Sequence, residues 1–248
     1  MLRAGALLCA LAGFLQVFPA AAVEKTAGIK LLYSEGRTLI QRNGSQGWVA
    51  ADSNDFVTPG YKIRTEHGSR AEFELPGKTI LRLGQSSGFS FADSSRATPA
   101  DSLKTLGELV GDFWISGFGS PEGLTCRIEC PLKEGTIIIS SENSISPTIF
   151  RMAVGRDGTV ELKAYQGLAR VEFTGLDSLV DSSNAVNFPH LAAPEAAGKL
   201  AAVTVQSQEK LLLTSSGKIV YEGPFSATDI DEETSWVEWN KARDAELH

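Results

Sequence analysis

From Glu35 to Phe91 the chain runs in short segments of alternating polarity, cut by Asn43-Gly44, Pro59-Gly60, His67-Gly68 and Pro76-Gly77. Strict alternation puts one face of a segment in a core and the other in water, which is the pattern of a β-strand. The dipeptides supply the fixed or positive φ that tight turns need. The same pattern returns between Thr125 and Phe173. Val160, Leu162 and Ala164 alternate with Glu161 and Lys163, and Ala169, Val171 and Phe173 alternate with Arg170 and Glu172. Asp157-Gly158 and Gln166-Gly167 punctuate these strands, and Asp-Gly is a strong hairpin signal.

Other segments break the pattern. Ala92–Ser102 is polar and reads as a loop. Leu106, Leu109, Val110 and Phe113 have helical spacing, but Gly107 and Gly111 weaken a helix and Phe113-Trp114-Ile115 favours a strand. Residues 176–198 are rich in Ser, Ala, Asn and Pro and read as a linker or surface loop. Residues 199–226 supply two or three further strands, turning at Ser216-Gly217. Residues 229–248 predict an amphipathic helix. Asp229, Asp231, Glu232 and Glu233 crowd its start, where the helix dipole favours negative charge. Trp236, Trp239, Asn240, Arg243 and Leu247 then share one face. Large aromatics are buried on average, so the favoured reading is that both tryptophans clamp this helix to the β domain. Exposed, they would form an aromatic–arginine patch of the kind enriched at binding hot spots.

The chain opens with Arg3, an apolar run from Ala4 to Phe18 and then Pro19-Ala20-Ala21-Ala22, the parts of a secretory signal over residues 1–22. The expected location is therefore periplasmic or secreted. The apolar run is too short for a convincing membrane span, and no later segment is apolar enough for one. Cys9 lies inside the run without the small residue that usually precedes a lipid-attachment cysteine.

The formal charge is −7, and no basic block offers the phosphate-neutralising cations that nucleic acid requires. Lys62, Arg64, Arg70, Lys78 and Arg82 are interleaved with Glu66, Glu72 and Glu74, which reads as a solvated sheet face of mixed sign. Cys126 and Cys130 on one extended strand would lie about 13–14 Å apart. A disulfide needs Cα atoms within about 7 Å. Buried, unpaired thiols are thus the favoured reading, and His67, His190 and His248 show no metal-ligand spacing.

No catalytic motif emerges: there is no G-x-S-x-G elbow, P-loop or H-E-x-x-H. Gly117-x-Gly119 lacks the strand–helix context of a dinucleotide site. Glu72 and Glu74 would stand about 7 Å apart on one strand face, a spacing that could suit a glycosidase but is read as wet surface. Trp48 and Trp114 could form a sugar platform, but read better as core or half-buried sheet residues. No catalytic residue, metal or cofactor is assigned.

The wording GYKIRTEHGSRAEFELPGKTILRLGQSS resembles the FecR-like family of bacterial envelope domains. The matching residues are Gly60, Ile63, Arg64, Thr65, Ser69, Arg70, Ala71, Glu72, Gly77, Arg82, Leu83 and Ser86. The second β block is similar at Thr148, Phe150, Val154, Asp157, Gly158, Thr159, Val160, Gly167 and Val171, with Pro147 where the family usually has Gly. The resemblance implies a twisted, solenoid-like or sandwich-like β domain over residues 28–175. Relatives include envelope anti-sigma regulators, but their cytoplasmic sigma-binding segment and membrane helix are not found in this sequence. The sensor-domain resemblance therefore carries over without direct transcriptional control.

The leading expectation is a non-enzymatic exported module that binds another envelope protein, by an unpaired edge strand or by the tryptophan helix. A glycan- or peptidoglycan-binding module comes second, and a hydrolase built on surface carboxylates third. Candidate contacts are Trp236, Trp239 and Arg243, with Arg64, Arg70 and Arg82, for which sheet-face ion pairs to Glu are the competing reading.

Overall fold

A computed structural model of the chain describes residues 28–75, 78–91, 106–117, 127–132, 136–141, 148–174 and 201–246. The signal segment, Cys126, Pro147, Leu247 and the 176–198 linker lie outside the described residues. The first half contains β1 (Ile29–Glu35), β2 (Thr38–Gln41), β3 (Val49–Ala50), β4 (Phe56–Val57), β5 (Lys62–Thr65), β6 (Arg70–Leu75), β7 (Thr79–Leu83) and β8 (Gly88–Phe91). The long β9 (Leu106–Gly117) follows. Then come β10 (Arg127–Pro131), β11 (Thr136–Ser141), β12 (Thr148–Val154), β13 (Val160–Gln166), β14 (Leu168–Thr174), β15 (Ala201–Gln206), β16 (Glu209–Leu213) and β17 (Ile219–Pro224). One helix, α1 (Ser235–Glu246), ends the described chain. The protein is mainly β with a short C-terminal helix, and the helix begins only after the acidic run.

The pairings build two open layers that lie face to face. The first runs β4, β1, β6, β7, β9, β12, β13, β16, β17. The second runs β3, β2, β5, β8, β9, β10, β11, β14, β15. Described neighbours are antiparallel except β9 and β10, which meet in parallel at Leu106 and Ile128. Alternation then does what it must: Ala71, Phe73 and Leu75 of the first layer and Ile63, Phe89 and Phe91 of the second point into one shared core. Phe73 and Phe89 meet edge to face across it, ring centroids 5.9 Å apart. Cys130 is a free thiol buried in this core, and burial pushes its pKa up to about 11. Among the described residues no helix is long and apolar enough to cross a membrane.

The ambiguous segment after Leu106 is a strand, and it belongs to both layers. Its first part pairs with β8 and its second with β7 and β12. The corner is Gly111, with φ at 101°. A Cβ there would sit 2.5 Å from the Ser87 Cα. No L side chain fits that approach, so the glycines that weakened a helix are what lets the strand change layer. Gly111→Ala should therefore destabilise the protein by about 1–3 kcal/mol, read as a lower urea midpoint with an unchanged slope. A midpoint equal to wild type would refute the corner's role.

Candidate functional site, the charged outer face beneath the C-terminal helix

The outer face of the first layer carries a straight row of polar side chains. Register aligns Tyr33, Glu72, Arg82, Trp114, Arg151, Lys163 and Lys210 across β1, β6, β7, β9, β12, β13 and β16. Adjacent strands are about 4.8 Å apart, so these are side-by-side neighbours. Much of the row is dry: Arg82 is 0% exposed, Lys163 1% and Glu72 2%. Arg82 and Glu72 thus correct the expectation of a solvated face, and Glu72 is not a wet-surface acid. The C-terminal segment covers them.

That segment brings a carboxylate to cation after cation. Asp229 lies 3.5 Å from Lys210. Asp231 accepts from Lys163 at 2.5 Å and from Arg151 at 2.9 Å, and Glu232 accepts from Lys163 at 3.1 Å. Arg151 also makes a bidentate pair with Asp112 at 2.6 and 2.9 Å. At the far end Arg82 donates to Glu72 and to Asp244, both at 2.6 Å, and Arg243 donates to the other Glu72 oxygen at 2.8 Å. A desolvated charge is costly without such partners, so the helix and the face stabilise one another.

Thr234 caps α1, its Oγ1 accepting the Val237 N–H at 3.3 Å. The buried positions are Val237, Asn240 and Asp244. This spacing lies on one helical face, but not the one expected from the tryptophans. Asp244 is a polar anchor of this face, accepting from Arg82, from Trp114 Nε1 at 2.8 Å and from Ser116 Oγ at 2.7 Å. Sequence reading passed over it because a lone acidic residue has no apolar signal; its i+7 spacing from Val237 was the available clue.

Trp236 and Trp239 flank that seam, half-buried and stacked with centroids 5.6 Å apart. Arg70 lies 4.9 Å and Arg82 5.8 Å from the Trp239 centroid, and Tyr33 packs at 5.9 Å. Both tryptophans therefore serve the clamp. Arg70 is also held bidentately by Glu35 at 2.8 and 3.1 Å. Five of the six candidate residues thus gather here, and Arg64 does not. It is exposed in the second layer, its guanidinium 4.3 Å above Trp48. Trp114 is buried under the helix, stacked on Tyr165 at 4.5 Å. Among the described residues no group of three or more His, Cys, Asp or Glu could hold a metal.

The ionisations follow from this packing. Burial pushes the Glu72 pKa up, but the Arg243 and Arg82 hydrogen bonds outweigh it and hold Glu72 below the usual carboxylate range. Asp231 is likewise lowered: burial opposes, and Lys163 and Arg151 prevail. Burial pulls Lys163 down, but hydrogen bonding to Asp231 and nearby acids leave it raised. Tyr165 is raised by burial and by its hydrogen bond to Glu232. At Glu72 and Asp231 the neighbouring cations thus favour the charged carboxylate over the protonated acid.

Two outcomes are expected. Arg82→Ala leaves Glu72 and Asp244 facing each other without their shared cation and should cost about 3–5 kcal/mol. In Arg82→Met with Glu72→Gln and Asp244→Asn, which removes the three charges but keeps acceptors for Arg243 and Trp114, part of that loss should return; urea unfolding of both variants checks it. Because folded Glu72 and Asp231 titrate below their unfolded values, their stabilisation is complete above about pH 4.5, the ordinary glutamate value. It is lost as pH falls through the depressed folded values. Tryptophan fluorescence should report helix release on that acid limb, and no acid-dependent change between pH 5 and pH 2 would contradict it.

No family model matches this chain, and no curated protein matches it. Among solved structures it is similar to two crystal structures described as a "putative anti-sigma factor" from Parabacteroides distasonis. Each is 9% identical with a TM-score of 0.42, and the match covers 68% of this chain and 62% of the other. The match thus spans less than two thirds of that protein's length, a likeness too distant to transfer a function.

Proposed function

We propose that this chain is an exported, non-enzymatic module of the bacterial envelope that binds a partner protein by accepting an extended segment along β17. The observation that carries this reading is the edge itself. Among the described residues β17 hydrogen-bonds to β16 as its one strand neighbour, and Val220 and Tyr221 on it are 56% and 37% exposed. A strand of this length with a single described neighbour is a template for β-augmentation, in which main-chain hydrogen bonds supply affinity and alternate side chains supply selectivity. The opposite ends of the layers are poorer templates, since β3 and β4 are two residues each.

The FecR-like wording of Gly60–Ser86 and Thr148–Val171 supports a sensing or regulatory role, and the Arg3–Ala22 segment supports export. A glycan platform is less favoured. Arg64 lies over Trp48, Trp114 is buried against Tyr165, and Trp239 is engaged by Trp236, Tyr33 and Arg70. A hydrolase would need a partly buried acid pair with one member kept protonated, whereas Glu72 is held ionised between two arginines.

A photo-crosslinking residue at Tyr221, expressed in a bacterial envelope that contains the native partners, should give one discrete protein adduct. Adding Val220→Lys, a charge of the kind that blunts sheet edges, should abolish it. An adduct from the same probe at Phe56 but not at Tyr221, or none from either, would sink the edge-strand reading.

A further inference from the structure

On the rim between the two layers, a cavity of about 610 Å³ opens beside the start of α1, walled by Trp236, Val110, Ala153, Val154 and Arg156. A second of about 460 Å³ adjoins it, bordered by Arg64, His67 and Arg156. They share Ser86, Val110 and Arg156, so they form one elongated groove that is apolar at one end and cationic at the other.

The charge balance of this groove runs against the chain's overall −7. Its acids are already answered: Asp112 by the bidentate Arg151, and Glu66 by Arg37 at 3.4 Å. Arg70, at its margin, is answered by Glu35. Arg156 and Arg64 remain. Both are exposed, and neither makes an ion pair among the described residues. The stack of Arg64 on Trp48 fixes the guanidinium without neutralising it. Two unanswered guanidiniums beside an apolar trough are matched by carboxylates, which arginine's fork binds bidentately.

We propose that this groove is a binding site for an acidic peptide segment, its carboxylates on Arg156 and Arg64 and an apolar side chain against Val154 and Trp236. An extended chain suits a groove made of two joined cavities better than a compact ion does. A peptide suits it better than a carboxylated sugar, because Trp48 is covered by Arg64 and Trp236 stacks on Trp239. The site is separate from β17 and stands on its own observations.

The test is fluorescence anisotropy of the purified protein with a labelled (Glu-Leu)4 octapeptide, its (Gln-Leu)4 counterpart and polygalacturonate as competitor. The Glu peptide should bind at least tenfold more tightly than the Gln peptide and weaken with salt. Arg156→Ala, an exposed side chain with no structural partner to lose, should cost at least tenfold and Arg64→Ala at least threefold. Lys78→Gln, at the far end of the β6–β7 hairpin, and Val220→Lys on the proposed edge should change nothing. Circular dichroism melts establish that each variant is folded. No binding of the Glu peptide, equal binding of the Gln peptide, indifference to both arginine variants, or binding of polygalacturonate alone would each overturn the assignment.

Discussion

A guanidinium with no access to water must have its counter-charge within reach, and Arg82 is that group in this protein. It sits on the outer face of a sheet, where a cation would ordinarily be hydrated. Glu72 beside it on β6 and Asp244 above it on α1 replace the water. Once that choice is made, much else follows. The helix must dock with a polar seam of Asn240 and Asp244 rather than an apolar stripe. The segment before it must carry acids to Lys163, Arg151 and Lys210. The tryptophans are left to seal the margins, where Trp239 lies beside Arg70 and Arg82.

The two-layer core is conventional by comparison. Its strands are amphipathic by alternation, and the inner residues of both layers form one apolar cluster. An apolar core of this kind tolerates many sequences of similar volume. The ion ladder is less forgiving, because each buried charge depends on a specific partner. Replacing one member strands another, while replacing the whole set by apolar groups need not be costly. The ladder therefore ties the position of the C-terminal segment to particular partners on the sheet.

That distinction explains what was legible in the sequence. The strands showed because period-two alternation is local, and the turns showed because Asp157-Gly158 and Pro59-Gly60 needed φ of 86° and 89°. Helix α1 was legible too, but its buried face was not, since Asp244 is polar and buries itself only because Arg82, Trp114 and Ser116 converge on it. The same cause hid the burial of Glu72: a strand face looks wet until something 150 or more residues later covers it. The groove at the rim was illegible for a related reason. Arg64 and Arg156 are far apart in sequence, and Arg156 sits in a hairpin turn where a lone arginine means nothing by itself. The switch of β9 between layers had only Gly111 as its trace.

The separation of Arg82 from Asp244 along the chain has a consequence for how the protein comes to be. The hydrogen bonds joining α1 to β6, β7 and β9 span between 128 and 171 positions. The cationic face is thus translated, and can begin to assemble, long before the carboxylates that cover it exist. Until the last few turns emerge, Arg82, Arg151 and Lys163 confront solvent, or any acidic segment nearby, as an open charged surface. Docking of this segment then changes the outward charge of the sheet face at the same moment as it covers Arg82 and Lys163.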